Sequence, residues 1–318
     1  MGSIRSIEND GNLLVAATEL ADDAAPESIV EQEILPAESC SSSIPLWLWW
    51  NILSLDAPAV AAVWTLLFAR ASRTKIPVAT VAVVALAVWV IYLADRLLDG
   101  WLTIDKRILK ERHRFCYRHR FAVFAFGVLG AFAGAWLTYH SLDGAEARTG
   151  LLLSAVLALY MMCVHVGGPA VSRLFPKEAI VGVLFAAGTA LPVWCHPRAF
   201  SWDALYSWLL FALVCVLNCL AIQCWEDEIA VRGRVGAQSR FAGWSTSRIP
   251  TFATGTALLG IAGHWLLRSD SNAIAAAGTA ALLILLLNSL RTRLSGHALR
   301  VLADAALLIP AAFALLVR

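Results

Sequence analysis

Nine stretches of this chain run apolar for about twenty residues each: 45–69, 76–99, 121–140, 148–166, 178–195, 204–226, 249–267, 272–290 and 298–317. A helix needs roughly 20 mainly apolar residues to cross a bilayer. Inside hydrocarbon, only a segment that satisfies its own backbone hydrogen bonds is stable. The pattern therefore predicts an all-α, polytopic membrane protein with about nine transmembrane helices. Composition agrees: 15% of the 318 residues are charged and 59% are hydrophobic, whereas a soluble domain carries about 25% charged residues. The connections are too short to hold a soluble domain. Three runs are irregular. The first is interrupted by Asn51, Asp56 and Pro58, the fifth contains Gly182, Gly188 and Pro192, and the last holds Asp304 and Pro310.

Charge divides the chain in two. Residues 1–43 hold nine acids and one base, Arg5, while the remaining 275 residues carry a net +10. The first segment is rich in Ser, Glu, Asp and Ala and has no aromatic residue, so it predicts a disordered acidic tail ahead of a membrane domain at 44–318. It has no basic start followed by a short apolar core, so it does not read as a secretory signal. Its opening MGSIRS fits the short myristoylation pattern. The bases also set orientation. With the tail in the cytoplasm, 17 lysines and arginines fall on that side and 7 on the other, Arg96 lying within a span. The seven cysteines are scattered, form no CxxC motif and read as small buried thiols.

Three places carry polar residues where the chain otherwise avoids them. The second span ends YLADRLLDG, with Asp95 and Asp99 four residues apart. That spacing puts both on one helix face, with Cβ atoms about 5–6 Å apart. Two adjacent carboxylates repel unless they are protonated, paired or bound to metal. Arg96, about 100° round the helix from Asp95 by helical geometry, cannot neutralise both. Hard oxygens at an interface suit Mg²⁺, which takes one or two carboxylates and completes its shell with water and phosphate. The alternative is a pair of acids solvated in the headgroup layer or paired with nearby bases.

The sixth span ends NCLAIQCWEDEIAVRGR, with Asn218, Ile222 and Glu226 on one stripe and Asp227 and Glu228 after them. Glu228 with Arg232 also reads as an ordinary surface pair, and Trp225 as an interfacial anchor. The connection between spans four and five contributes Arg173 and Lys177, the latter just ahead of a helix whose N-terminal amides favour an anion. Equally, both are positive-inside residues. The connection WLTIDKRILKERHRFCYRHR reads either as a topology-setting basic loop or as an amphipathic lid.

Together these features resemble the UbiA-type intramembrane prenyltransferases: nine spans, a DxxxD closing helix 2, an acidic Asn-containing segment closing helix 6, and a basic residue before a Gly-containing helix 5. The likeness covers roughly residues 45–318. It implies a bundle around a central cavity in which two acidic motifs hold a prenyl diphosphate through Mg²⁺ beneath a cytoplasmic cap. Carried over by position, Asp95 and Asp99 match the first motif, although its Asn position is Ile91. In the second motif Asn218, Glu226 and Asp227 look equivalent, and no DxxxD occurs. Lys177 matches a diphosphate-contacting lysine, with Asn218, Arg173 and Arg96 as further substrate contacts.

The expectation is Mg²⁺-dependent transfer of a prenyl group from a polyprenyl diphosphate to a lipophilic, aromatic acceptor, with Asp95, Asp99, Glu226 and Asp227 as metal ligands. A membrane terpene cyclase of the same fold is the nearest alternative. A transporter or non-catalytic lipid-binding protein using Asp56 and Asp304 is another. Nothing in the chain points to nucleic acid, and no P-loop, dinucleotide fingerprint, GxSxG or HExxH occurs.

Overall fold

A computed structural model of the chain describes residues 46–102, 111–166, 177–196, 201–232, 240–266 and 272–317. The acidic tail, residues 103–110 of the basic connection, and Arg173 lie outside the described residues. Those that are described form eleven helices and no strand: α1 (Leu46–Ile52), α2 (Asp56–Ala71), α3 (Val78–Leu102), α4 (Glu111–Arg118), α5 (Arg120–Ser141), α6 (Gly144–Val166), α7 (Lys177–Trp194), α8 (Trp202–Arg232), α9 (Arg240–Leu266), α10 (Asn272–Leu290) and α11 (Gly296–Leu316).

Seven of these, α3, α5, α6, α7, α8, α10 and α11, are long and apolar enough to cross a membrane. The other two expected spans differ for separate reasons. The first is split into α1 and α2, and the 16 residues of α2 reach only about 24 Å at 1.5 Å per residue, short of a ~30 Å core. The seventh lies in α9, which has length to spare at 27 residues but carries Pro250, Thr251, Thr254, Thr256 and His264.

The short helix α2 lies within the bundle, packing on α3, α7, α8, α10 and α11. Trp64 and Phe68 lie on its inner face, where Trp64 stacks on Phe211 of α8 with ring centroids 4.0 Å apart and Phe68 meets Phe211 edge-on. Two adjacent residues of α2 donate to carbonyls in the turn before a proline of a neighbouring helix. A proline removes the N–H that would bond the carbonyl four residues earlier, here Ala306 and Gly188, and the donors meet the carbonyl one residue further on. Trp64 Nε1 donates to the carbonyl of Leu307, three residues before Pro310, at 3.0 Å. Thr65 Oγ1 donates to the carbonyl of Thr189, three residues before Pro192, at 2.9 Å.

Small residues let the remaining helices close together, as is usual where lipid supplies no hydrophobic drive. A Cβ on Gly260 of α9 would stand 2.8 Å from the Cα of Gly278 of α10. One on Gly182 of α7 would stand 2.7 Å from the backbone nitrogen of Val216 in α8. Outside this core, α5 packs on α3 and α6 packs on α7. Their outer faces present Phe121, Phe124, Phe132, Leu151 and Leu152, as a lipid-facing helix does.

Candidate functional site

The break between α1 and α2 positions the polar residues around it. Leu53, Ser54 and Leu55 leave the helix, with Ser54 at φ 58°. The interruption foreseen at Asn51, Asp56 and Pro58 is real, and it lies ahead of Pro58, which sits in the first turn of α2 where its missing N–H is harmless. A break inside apolar surroundings exposes carbonyls, and α3 supplies the donors. Arg96 donates to the carbonyls of Asn51 and Ile52, both at 2.9 Å, and Trp89 Nε1 donates to Leu53 at 3.0 Å. Arg96 is 4% exposed. This arginine, expected as a substrate contact, thus caps a helix through Nη1.

One turn round α3, Asp95 and Asp99 are half-buried. Lys177, the first residue of α7, places Nζ 3.3 Å from Asp95 Oδ1. Asp99 and Tyr160 of α6 lie within electrostatic reach of the same ammonium. The helix-2 acids and the helix-5 lysine, 82 residues apart between Asp95 and Lys177, therefore meet.

The end of α8 has different company. Glu226 forms an ion pair with Arg300 of α11. Glu228 accepts from Arg291 Nε at 2.9 Å; the side chain of Arg232 lies outside the described residues. Asp227 Oδ1 accepts from Gln223 Nε2 at 2.9 Å on its own helix. Trp225, expected as an interfacial anchor, is 2% exposed and donates through Nε1 to Asn288 Oδ1 at 3.0 Å, so it is a core residue. Helices α3 and α8 are joined through α2 and α7, which pack on both. Among the described residues no three His, Cys, Asp or Glu side chains gather as metal ligands.

Deeper in the bundle, Asn218 donates through Nδ2 to Asp304 Oδ1 at 3.1 Å. Tyr92 of α3 lies within electrostatic reach of both Asp304 and Asp56. Asp56 accepts from the side chain of Asn51 and from the backbone N–H of Ala57, the latter at 2.9 Å. A polar cluster thus joins α1, α2, α3, α8 and α11. Asp56 and Asp304 were visible as charges within spans, but Asn51 and Tyr92 were not legible as their companions. The only hint lay in Tyr92, one turn before Arg96 on the same face. Compared with family models, curated proteins and solved structures, the chain finds no match.

Proposed function

We propose that the protein is an integral membrane prenyltransferase, with nine spans around a central cavity and the acidic end of α3 on the cytoplasmic side. It transfers a prenyl group from a polyprenyl diphosphate to a lipophilic, aromatic acceptor in a Mg²⁺-dependent reaction. The observation that carries the reading is the meeting of Lys177 with Asp95, with Asp99 on the same face. A lysine beside hard carboxylate oxygens at one end of an apolar bundle suits a diphosphate attached to a lipid tail.

Asp95 and Asp99 fit a Mg²⁺ ion: they are hard, one turn apart, and not fully buried. Bound there, the ion would neutralise charge on the diphosphate. Glu226 and Asp227, like Asp95, would exchange a present partner for the ion: Arg300 and Gln223 against Lys177. In the reaction the allylic C–O bond breaks with both electrons leaving on the diphosphate oxygen. Lys177 lies where its Nζ can turn from Asp95 to that oxygen, an interaction that strengthens as charge develops. The apolar bundle keeps water from the carbocation. The acceptor carbon then supplies the electron pair for the new C–C bond and releases a proton.

The test is incubation of the purified protein with short and long prenyl diphosphates and Mg²⁺, with and without a lipid extract as acceptor, followed by mass spectrometry. Release of diphosphate with a prenylated lipid is the expected result. A cyclic hydrocarbon formed without acceptor would assign the terpene cyclase reading instead. No consumption at any chain length would contradict both.

A further inference from the structure

We propose that Tyr160 is a further substrate-binding residue, its phenol donating a hydrogen bond to a diphosphate oxygen held beside Lys177. This rests on the prenyl diphosphate reading and adds to it an uncharged donor from a third helix.

Tyr160 lies near the end of α6, and α6 packs on α7. The helix period explains which way it faces. Leu153, Leu157 and Tyr160 follow one another at helical spacing and are half-buried, while Leu152, Val156 and Leu159 beside them are exposed. The half-buried stripe faces α7: a Cβ added at Gly188 of that helix would meet Leu153 at 3.6 Å. Packing of this kind needs only apolar side chains, and phenylalanine would fill the last position as well as tyrosine. The hydroxyl is what calls for a reason. Its oxygen is buried and, among the described residues, has no hydrogen-bond partner. A buried polar group left so is missing one.

The surroundings of that oxygen indicate the partner. Lys177, Glu178 and Asp95 all lie within electrostatic reach of the phenol, and Lys177 Nζ is 3.3 Å from Asp95 Oδ1. The two acids could accept from the hydroxyl, yet it bonds neither. It is free for an acceptor that arrives with the ligand. A lysine and a neutral donor close together favour an anionic acceptor, because hydrogen bonds to a charged oxygen are the strong ones. A neutral O–H also binds a phosphate oxygen without repelling the Mg²⁺ that Asp95 and Asp99 would hold. Tyrosine supplies this donor on a rigid ring, at low conformational cost. The phenol keeps its proton throughout. The hydrogen bond strengthens as the allylic C–O bond breaks and charge gathers on the diphosphate.

The experiment uses the full chain in detergent and the variant Tyr160→Phe, which removes the hydroxyl and keeps the ring. Thermal unfolding is followed without ligand, and an unreactive prenyl thiodiphosphate is titrated calorimetrically in the presence of Mg²⁺. The variant should unfold at the same temperature as the unmodified protein or higher, because a buried hydroxyl without a partner costs stability in the free protein. Its affinity should fall by about tenfold or more, the worth of a hydrogen bond to a charged group. Weaker binding without lost stability is a result that a packing role for Tyr160 does not give. Equal affinities in the two proteins overturn the proposal and leave the prenyl diphosphate reading standing. A fall in affinity that comes only with a lower Tm overturns it as well. Absence of binding to the unmodified protein overturns both.

Discussion

The ends of α3 and α8 look alike in sequence, each closing a long apolar helix with clustered acids, yet they fold into different company. At α8, Glu226 meets Arg300 of α11 and Glu228 meets Arg291, in the turn after α10. An arginine's planar fork holds a carboxylate in a fixed geometry, and these pairs tie the end of α8 to α11 and to the turn after α10. At α3, Asp95 pairs with Lys177, with Asp99 within electrostatic reach of the same ammonium. Lysine is a point charge on a flexible stem and can pivot between a carboxylate and an incoming phosphate. The partner, more than the acid, separates a structural helix end from a candidate site.

The sharpest way to break this comparison is to neutralise each end. Asp95→Asn and Asp99→Asn should each keep the protein folded and lower Mg²⁺-dependent turnover about 10²-fold or more, because each loses an interaction that matters most as the diphosphate gains charge. Steady-state assays of diphosphate release on both variants check this. Unchanged rates would leave YLADRLLDG as a charged helix end. Glu226→Gln should do the reverse. It leaves Arg300 without its ion-pair partner in a site only 11% exposed, and should destabilise the protein by roughly 2–4 kcal/mol, read as a lower Tm, with turnover per folded molecule within about twofold. Lost turnover at unchanged stability would make α8 a second acidic arm of the site.

Smaller effects sharpen the same contrast. Gly260→Ala forces a methyl against Gly278 and should lower stability by about 1–3 kcal/mol, again without touching catalysis. Glu228→Gln disturbs a pair whose side chains are 25–29% exposed and should shift stability by less than about 1 kcal/mol.

Much of this was legible because it is local. Apolar runs gave the helices, and the four-residue spacing put Asp95 and Asp99 on one face. Asn51, Asp56 and Pro58 marked an interrupted first span. What escaped depends on distant partners. Arg96 read as a charge beside the aspartates, yet it caps a helix end 45 residues away. Arg300 counted only toward orientation, although it decides what Glu226 can do. Pro192 and Pro310 read as local irregularities, and nothing adjacent in the chain shows that Thr65 and Trp64, neighbours on α2, donate to carbonyls in the turns before them. The short α2 escaped for a related reason. Its residues are apolar enough for a span, but the break that shortens it is held by Arg96 and Trp89 from α3.

The central claim is that Asp95, Asp99 and Lys177 together receive a prenyl diphosphate with Mg²⁺. Calorimetric titration of an unreactive prenyl thiodiphosphate tests it most directly, with and without Mg²⁺, on the unmodified protein and on Asp95→Asn and Lys177→Met. Binding should require Mg²⁺ and weaken by about tenfold or more in each variant, consistent with loss of a charged contact. Affinity that is independent of Mg²⁺ and equal in all three proteins would contradict the account.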